Sequence, residues 1–175
     1  MRELFPGQND DEKIFIAVRE HPVILAIKVG VWAMLLGLLF VFRAYVPDIA
    51  PTLFEGTAGT VISVLQQVYV LFLALSIFII FVLYYLNLHI VTEMRIVDID
   101  QVGLFKHQVS TLNISQIEDV TSDTTGVLGT LFDFGTVFIQ TAGSKERFEM
   151  LNIPHPGRLS KIIIDLFEQQ QGKKL

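Results

Sequence analysis

Four histidines, His21, His89, His107 and His155, are the side chains of this chain best suited to ligating a metal or relaying a proton. They stand far apart, with no H-x-x-x-H or comparable spacing that would set two imidazoles on one helical face. Surface or interfacial histidines are expected, and no metal site. Glu118, Asp119 and Asp123 place three carboxylates within six positions, a grouping suited to acid–base work or to a cation. No nucleophile stands beside them, so Asp119 is expected to bond turn backbone. Ser115, Ser122 and Ser144 lack a nucleophile elbow. Gly126 and Gly129 lack the G-x-x-x-x-G-K-[ST] signature of a phosphate loop. The chain has no cysteine, which removes disulfides, thiolate metal sites and a Cys nucleophile together. No catalytic residue, cofactor site or small-molecule substrate is assigned, and binding without catalysis is the expectation.

Residues suited to binding concentrate in Gly126–Gly135. There Val127, Leu128, Leu131, Phe132 and Phe134 stand among glycines, with Asp133 as the single charge. One expectation is that they fold under and plug a core beside the strand Thr136–Thr141. The alternative is a candidate interaction surface of Val127, Leu128, Leu131 and Phe132, exposed to meet membrane, another subunit or a partner protein.

Two kinds of element have to position such a surface. Val23–Phe42 is 20 residues with one charge, Lys28, and Val68–Leu86 is 19 residues with none; a helix needs roughly 20 apolar residues to cross a bilayer. Transmembrane helices are expected over 23–42 and 61–88, joined by an extracytoplasmic loop over 43–60 that holds Pro47, Pro51, Gly56 and Gly59. Lys28 lies close enough to the start of its span to snorkel to the headgroups. Lys13 and Arg19 before the spans, and Arg95 and Lys106 after them, outnumber Arg43 between them. Both termini are therefore expected on the cytoplasmic side of a multi-pass cell-membrane protein. Residues 1–22 carry no signal-peptide pattern. Within them Ile14–Val18 is a short apolar run expected to pair with the later domain, the other possibility being an interfacial segment.

After the spans the period changes to two. Ile90–Asp100, Leu112–Ser115, Val137–Thr141 and Arg147–Met150 read as strands with one face toward a core. The connections are too short for crossover helices, so the sheet is antiparallel. Leu159, Ile162, Ile163, Leu166 and Phe167 then recur at helical spacing, an amphipathic helix that must cover the open end of that sheet.

Five blocks in this region resemble the bacterial pleckstrin-homology-like, membrane-flanked domain family: Thr92–Ile96, Gly103–Lys106, Leu112–Val120, Gly126–Val137 and Thr141–Gly143. The resemblance covers roughly residues 84–168 and implies the fold class: an α+β membrane protein, a two-helix transmembrane hairpin followed by a PH-like antiparallel β-roll (89–171) with a C-terminal helix. It implies an interaction or scaffold module at the membrane surface, partnered by the bilayer and by another protein or a second copy. The alternative is a lipid-headgroup or membrane-surface sensor, because eukaryotic relatives often bind phosphoinositides through basic residues between their first two strands. Here that turn is expected at Asp98–Gly103, which is acidic, and residues 89–175 hold 8 Lys and Arg against 11 Asp and Glu; both would repel a phosphorylated headgroup. The formal charge of -5 likewise leaves no basic surplus for nucleic acid. With so few residues between Leu86 and Ile90, the domain is expected to stay close to the membrane.

Overall fold

The computed structural model describes residues 12–103, 105–141 and 147–172. One unit draws its residues from both sides of the other: it runs up to His21 and resumes at Leu83, while Pro22–Val82 forms the second.

The second unit is built on two helices, α1 (Pro22–Ile49) and α2 (Gly56–Leu86), the last residues of α2 belonging to the first unit. Pro22 opens α1 at a position where a missing N–H costs nothing. At 28 and 31 residues the helices are about 42 and 46 Å long at 1.5 Å per residue. Both are long and apolar enough to cross a bilayer. No residue of α1 is buried, and in α2 only Gly59 and Leu73 are. The helices extend beyond the expected spans, shrinking the loop over 43–60 to a short connection holding a 3-10 turn, Pro51–Phe54. Pro47 is absorbed into the last turn of α1, where it forfeits one hydrogen bond, and Pro51 follows the stop. A Cβ on Gly59 would lie 2.1 Å from the Phe54 carbonyl oxygen, so only glycine allows the first turn of α2 so close to the connection. Within this unit Trp32 meets Phe72 edge-on at 5.9 Å, and the Tyr69 hydroxyl donates to the Leu35 carbonyl at 3.2 Å.

The first unit holds seven strands among the described residues. One sheet has the order β1 (Ile14–Val18), β2 (Leu88–Thr92), β3 (Arg95–Val102), β4 (Lys106–Asn113). The other is β5 (Ile117–Asp123), β6 (Phe134–Thr141), β7 (Phe148–Pro154), and all pairings are antiparallel. A short helix, α3 (Gly126–Phe132), links β5 to β6, and α4 (Pro156–Gly172) closes the chain. The helical spacing read at the C terminus is used: Leu159, Ile163 and Leu166 enter the main core with Val91, Ile96, Leu112, Val137, Ile139, Met150 and Ile153. The four-stranded sheet also buries Ile90 and Val97 in a second cluster, so β3 is apolar toward both faces. This is the antiparallel roll with a C-terminal helix that the resemblance implies.

Three differences from expectation follow from local chemistry. The single strand expected over Ile90–Asp100 is two, because Thr92 builds a hairpin turn: its Oγ1 accepts from the Met94 and Arg95 N–H groups at 3.2 and 3.0 Å. Asp98–Val102 is then strand, not turn, and the next reversal comes at Gly103. Ile14–Val18 is β1, so the domain begins before α1 and not at residue 89. Its first two strands are consequently joined by α1 and α2, and the acidic stretch lies elsewhere.

β1 is secured at its start by Glu12. The Glu12 side chain is fully buried, receives the Arg95 guanidinium through Nε at 2.9 Å and Nη2 at 2.6 Å, and accepts the Thr92 hydroxyl at 2.7 Å. These hydrogen bonds hold Arg95 above its ordinary pKa. The neighbouring Lys13–Glu93 pair is 3.8 Å long with the lysine exposed, and such pairs contribute about 0–1 kcal/mol. Removing one member of a buried, hydrogen-bonded pair costs about 3–5 kcal/mol, so Glu12 is the stronger tie. Glu12→Ala is expected to destabilise the chain by that order, read as a lowered Tm in detergent, whereas Lys13→Ala changes Tm little. An unchanged Tm for Glu12→Ala would show that β1 is held by its backbone alone.

Candidate interaction surface

α3 presents its apolar side chains outward. Val127 is 83% exposed, Leu131 71%, Leu128 46% and Phe132 43%, so they do not plug the core; Phe134, just beyond, is buried. Two glycines set the orientation. Gly129, the one buried residue of α3, faces the Phe134 carbonyl. A Cβ on Gly135 would sit 2.1 Å from the Asp123 carbonyl oxygen, which forces backbone against backbone at the foot of the helix. With Gly129 as its point of contact, α3 turns its large side chains outward. The helix carries no charge, and its hydroxyl, on Thr130, donates back to the Gly126 carbonyl at 3.0 Å.

The end of α3 is held by residues distant in sequence. Asp133 (φ 52°) caps it in the left-handed region, its N–H donating to the Gly129 carbonyl. Asn152 (φ 55°) and His155 (φ 51°) share that conformation, which Asn, Asp and His tolerate best among non-glycine residues. The His155 N–H donates to the Asp133 carbonyl at 2.8 Å, and Nδ1 lies 2.5 Å from Asp133 Oδ2. The His21 N–H donates to the Asn152 carbonyl at 2.7 Å, and its ring stacks on Phe134 at 5.3 Å and 23°. Burial foremost, then the nearby His155, lowers the His21 pKa, against a smaller opposing pull from Asp133. His21 is also the last residue before α1.

The other candidate residues are placed apart from this surface. His89 is buried on β2 rather than at a surface, its Nδ1 2.7 Å from Asp98 Oδ1 on β3. The approach is too oblique for an aligned hydrogen bond. Asp100, two residues along, has its pKa raised by burial first and by Asp98 second, with His89 opposing. His107 is exposed on β4. Glu118, Asp119 and Asp123 lie exposed along β5. Asp119 accepts from the Thr121 hydroxyl at 3.2 Å and not from turn backbone, because its position is mid-strand. Ser115 lies in the 3-10 turn before β5 and Ser122 is exposed on β5, and Ser144 lies outside the described residues. Among the described residues no group of three His, Cys, Asp or Glu is placed to hold a metal. Sequence reasoning missed the His21–Asp133–Asn152–His155 cluster. The one local signal was an Asp directly after an apolar helical segment, a position that favours a left-handed cap.

Leu131→Ser with Phe132→Ser is expected to leave the unfolding free energy within about 0.5 kcal/mol of wild type, as surface substitutions do. Gly135→Ala is expected to unfold or strongly destabilise the domain; the reverse ranking would make α3 a core element. The fold holds His21 neutral, so its share of stability is intact above the ordinary value of 6.5 and is lost as pH falls through the lowered folded value. His21→Phe keeps a stacked ring and removes that titration. Melting from pH 8 down to about pH 5 should therefore fall less steeply in the variant, and equal slopes would refute the role given to His21.

No curated protein matches the chain. Among solved structures, the crystal structure of a DUF1696 family protein with a pleckstrin-homology domain from Shewanella loihica PV-4 is similar at 17% identity and a TM-score of 0.38, over 46% of this chain and 70% of that one. The model of the bacterial PH domain family matches residues 21–166. That span takes in both long helices, all strands after them and most of α4, and the chain belongs to the bacterial PH domain family.

Proposed function

We propose that the chain is a membrane-anchored, non-catalytic interaction or scaffold module. α1 and α2 cross the cell membrane with both termini on the cytoplasmic side, and the PH-like domain is displayed at that surface to another protein or a second copy. The observation that carries this reading is the place of the helices in the chain. They are inserted between β1 and β2, strands that pair directly, with Val18 opposite His89. Three residues separate β1 from α1, and one separates α2 from β2. The short links are themselves bonded: the Asn87 N–H donates to the Leu83 carbonyl at 3.1 Å, and Asn87 Oδ1 accepts the Gln101 N–H at 2.7 Å. A domain held through two short, ordered links has little freedom to turn, which suits a module whose orientation matters. Confinement to a surface raises effective concentration, so a modest affinity suffices. Helices that are apolar and scarcely buried by protein support the anchor, since a core helix of similar length would be covered by its own chain. The outward apolar face of α3 favours contact with the membrane surface as a second reading.

Crosslinking in native membranes followed by mass spectrometry tests the proposal. A recurring foreign partner, or recurring crosslinks between copies, is the expected result. A flexible Gly/Ser insertion after Asn87 should reduce those crosslinks several-fold while the chain stays in the membrane. Unchanged crosslinks in that variant would show that the junction is only a tether, and no recurring crosslink in wild type would overturn the module reading.

A further inference from the structure

We propose that α3 is a lipid-inserted wedge, its Val127, Leu128, Leu131 and Phe132 side chains lying in the headgroup–acyl boundary of the leaflet facing the domain. The inference rests on the membrane-anchored reading and adds a third attachment to its two chain links. Three observations carry it. First, α3 is free of charge and satisfies its own hydroxyl, so its outward face has no polar side chain that must remain in water. Second, its apolar side chains are outermost by construction, because Gly129 is its one buried residue and packs against the Phe134 carbonyl. Third, the end of α3 is tied to the level at which the chain passes into the first apolar helix. Phe134, two residues beyond α3, stacks on His21, and Pro22 begins α1. An aromatic and a basic side chain also meet beside the chain links: the Arg19 guanidinium, two residues before His21, lies 5.8 Å from the centre of the Tyr85 ring, in the last turn of α2. Such pairs mark the boundary between lipid and water. An apolar surface fixed at that level fits the bilayer better than a soluble partner, and short interfacial helices bury their apolar face by about 5–10 Å.

The absence of cysteine from the chain makes site-directed spin labelling direct. Single substitutions Val127→Cys, Leu131→Cys, Leu75→Cys in α2 and Gln108→Cys on the exposed face of β4 are labelled in the full chain reconstituted in phosphatidylcholine–phosphatidylglycerol vesicles. Collision with oxygen is then compared with collision with a water-soluble nickel chelate. The expected oxygen-to-nickel ratio at 127 and 131 is several-fold above that at 108 and below that at 75. Aqueous values at 127 and 131 beside a deep value at 75 would overturn the wedge and leave the anchor standing. An aqueous value at 75 would overturn the anchor itself. Low accessibility to both reagents at 127 and 131 would mean that protein covers α3, either a second copy or the domain, and would also overturn the wedge.

Discussion

The burial of Glu12 beneath Arg95 and Thr92 is the interaction on which the rest of the domain depends. A carboxylate taken wholly out of water is costly unless its oxygens are repaid in hydrogen bonds, and here two from Arg95 and one from Thr92 do so. Thr92 and Arg95 also bracket the β2–β3 hairpin. The same group of atoms therefore fixes the beginning of β1, the end of β2 and the turn into β3. Glu93 adds a backbone bond to Lys13 at 3.1 Å, and its carbonyl accepts the Gln170 side chain from α4. One hairpin thus gathers the chain before the long helices, the sheet after them and the C-terminal helix.

That arrangement changes what the connection between the first two strands can do. In eukaryotic domains that this fold resembles, the connection often carries basic residues for a phosphoinositide. Here it consists of α1 and α2, with Lys28 and Arg43 as the basic residues in 61 residues from Pro22 to Val82. Where such relatives hold a membrane reversibly by recognising a headgroup, this chain has apolar helices in the covalent path between two paired strands. Hydrophobic anchoring is indifferent to headgroup chemistry, and a net acidic domain is then no obstacle to life at a membrane surface. The mild negative charge of residues 89–175 is a property of the displayed surface and not evidence against attachment.

What could be read from sequence divides by range. The long helices and α4 were legible because length, apolarity and a 3.6-residue period are written within one element. β6 and β7 were legible for the same reason, with a period of two. The antiparallel roll followed from short connections. The position of the turn at Glu93–Met94 was not, because alternation continues through Thr92 and Ile96 and the turn rests on one hydroxyl rather than on glycine or proline. The exposure of α3 was ambiguous, since Val127, Leu128, Leu131 and Phe132 have the composition of a core and only the close approach at Gly135 turns them outward. The cluster of His21, Asp133, Asn152 and His155 was not legible as a cluster: its members come from three distant stretches of the chain, and no spacing records their meeting. Histidines that look scattered along a chain are scattered only in one dimension.

The position of His21 gives that cluster a mechanical meaning. His21 ties the end of α3 to the residues just before α1 through both a backbone bond to Asn152 and a ring stack on Phe134. The stack favours a neutral, desolvated imidazole. Protonation of His21 meets first the cost of desolvation and then unfavourable electrostatics from the neighbouring imidazole, with Asp133 offering partial compensation. The brace between the link and α3 is therefore weakened by acid, while the Glu12 clasp is drawn from an arginine and a hydroxyl and involves no imidazole. The two ties therefore answer to different perturbations, the His21 brace to pH and the Glu12 clasp to removal of either partner, so local loosening near α3 can precede loss of the fold.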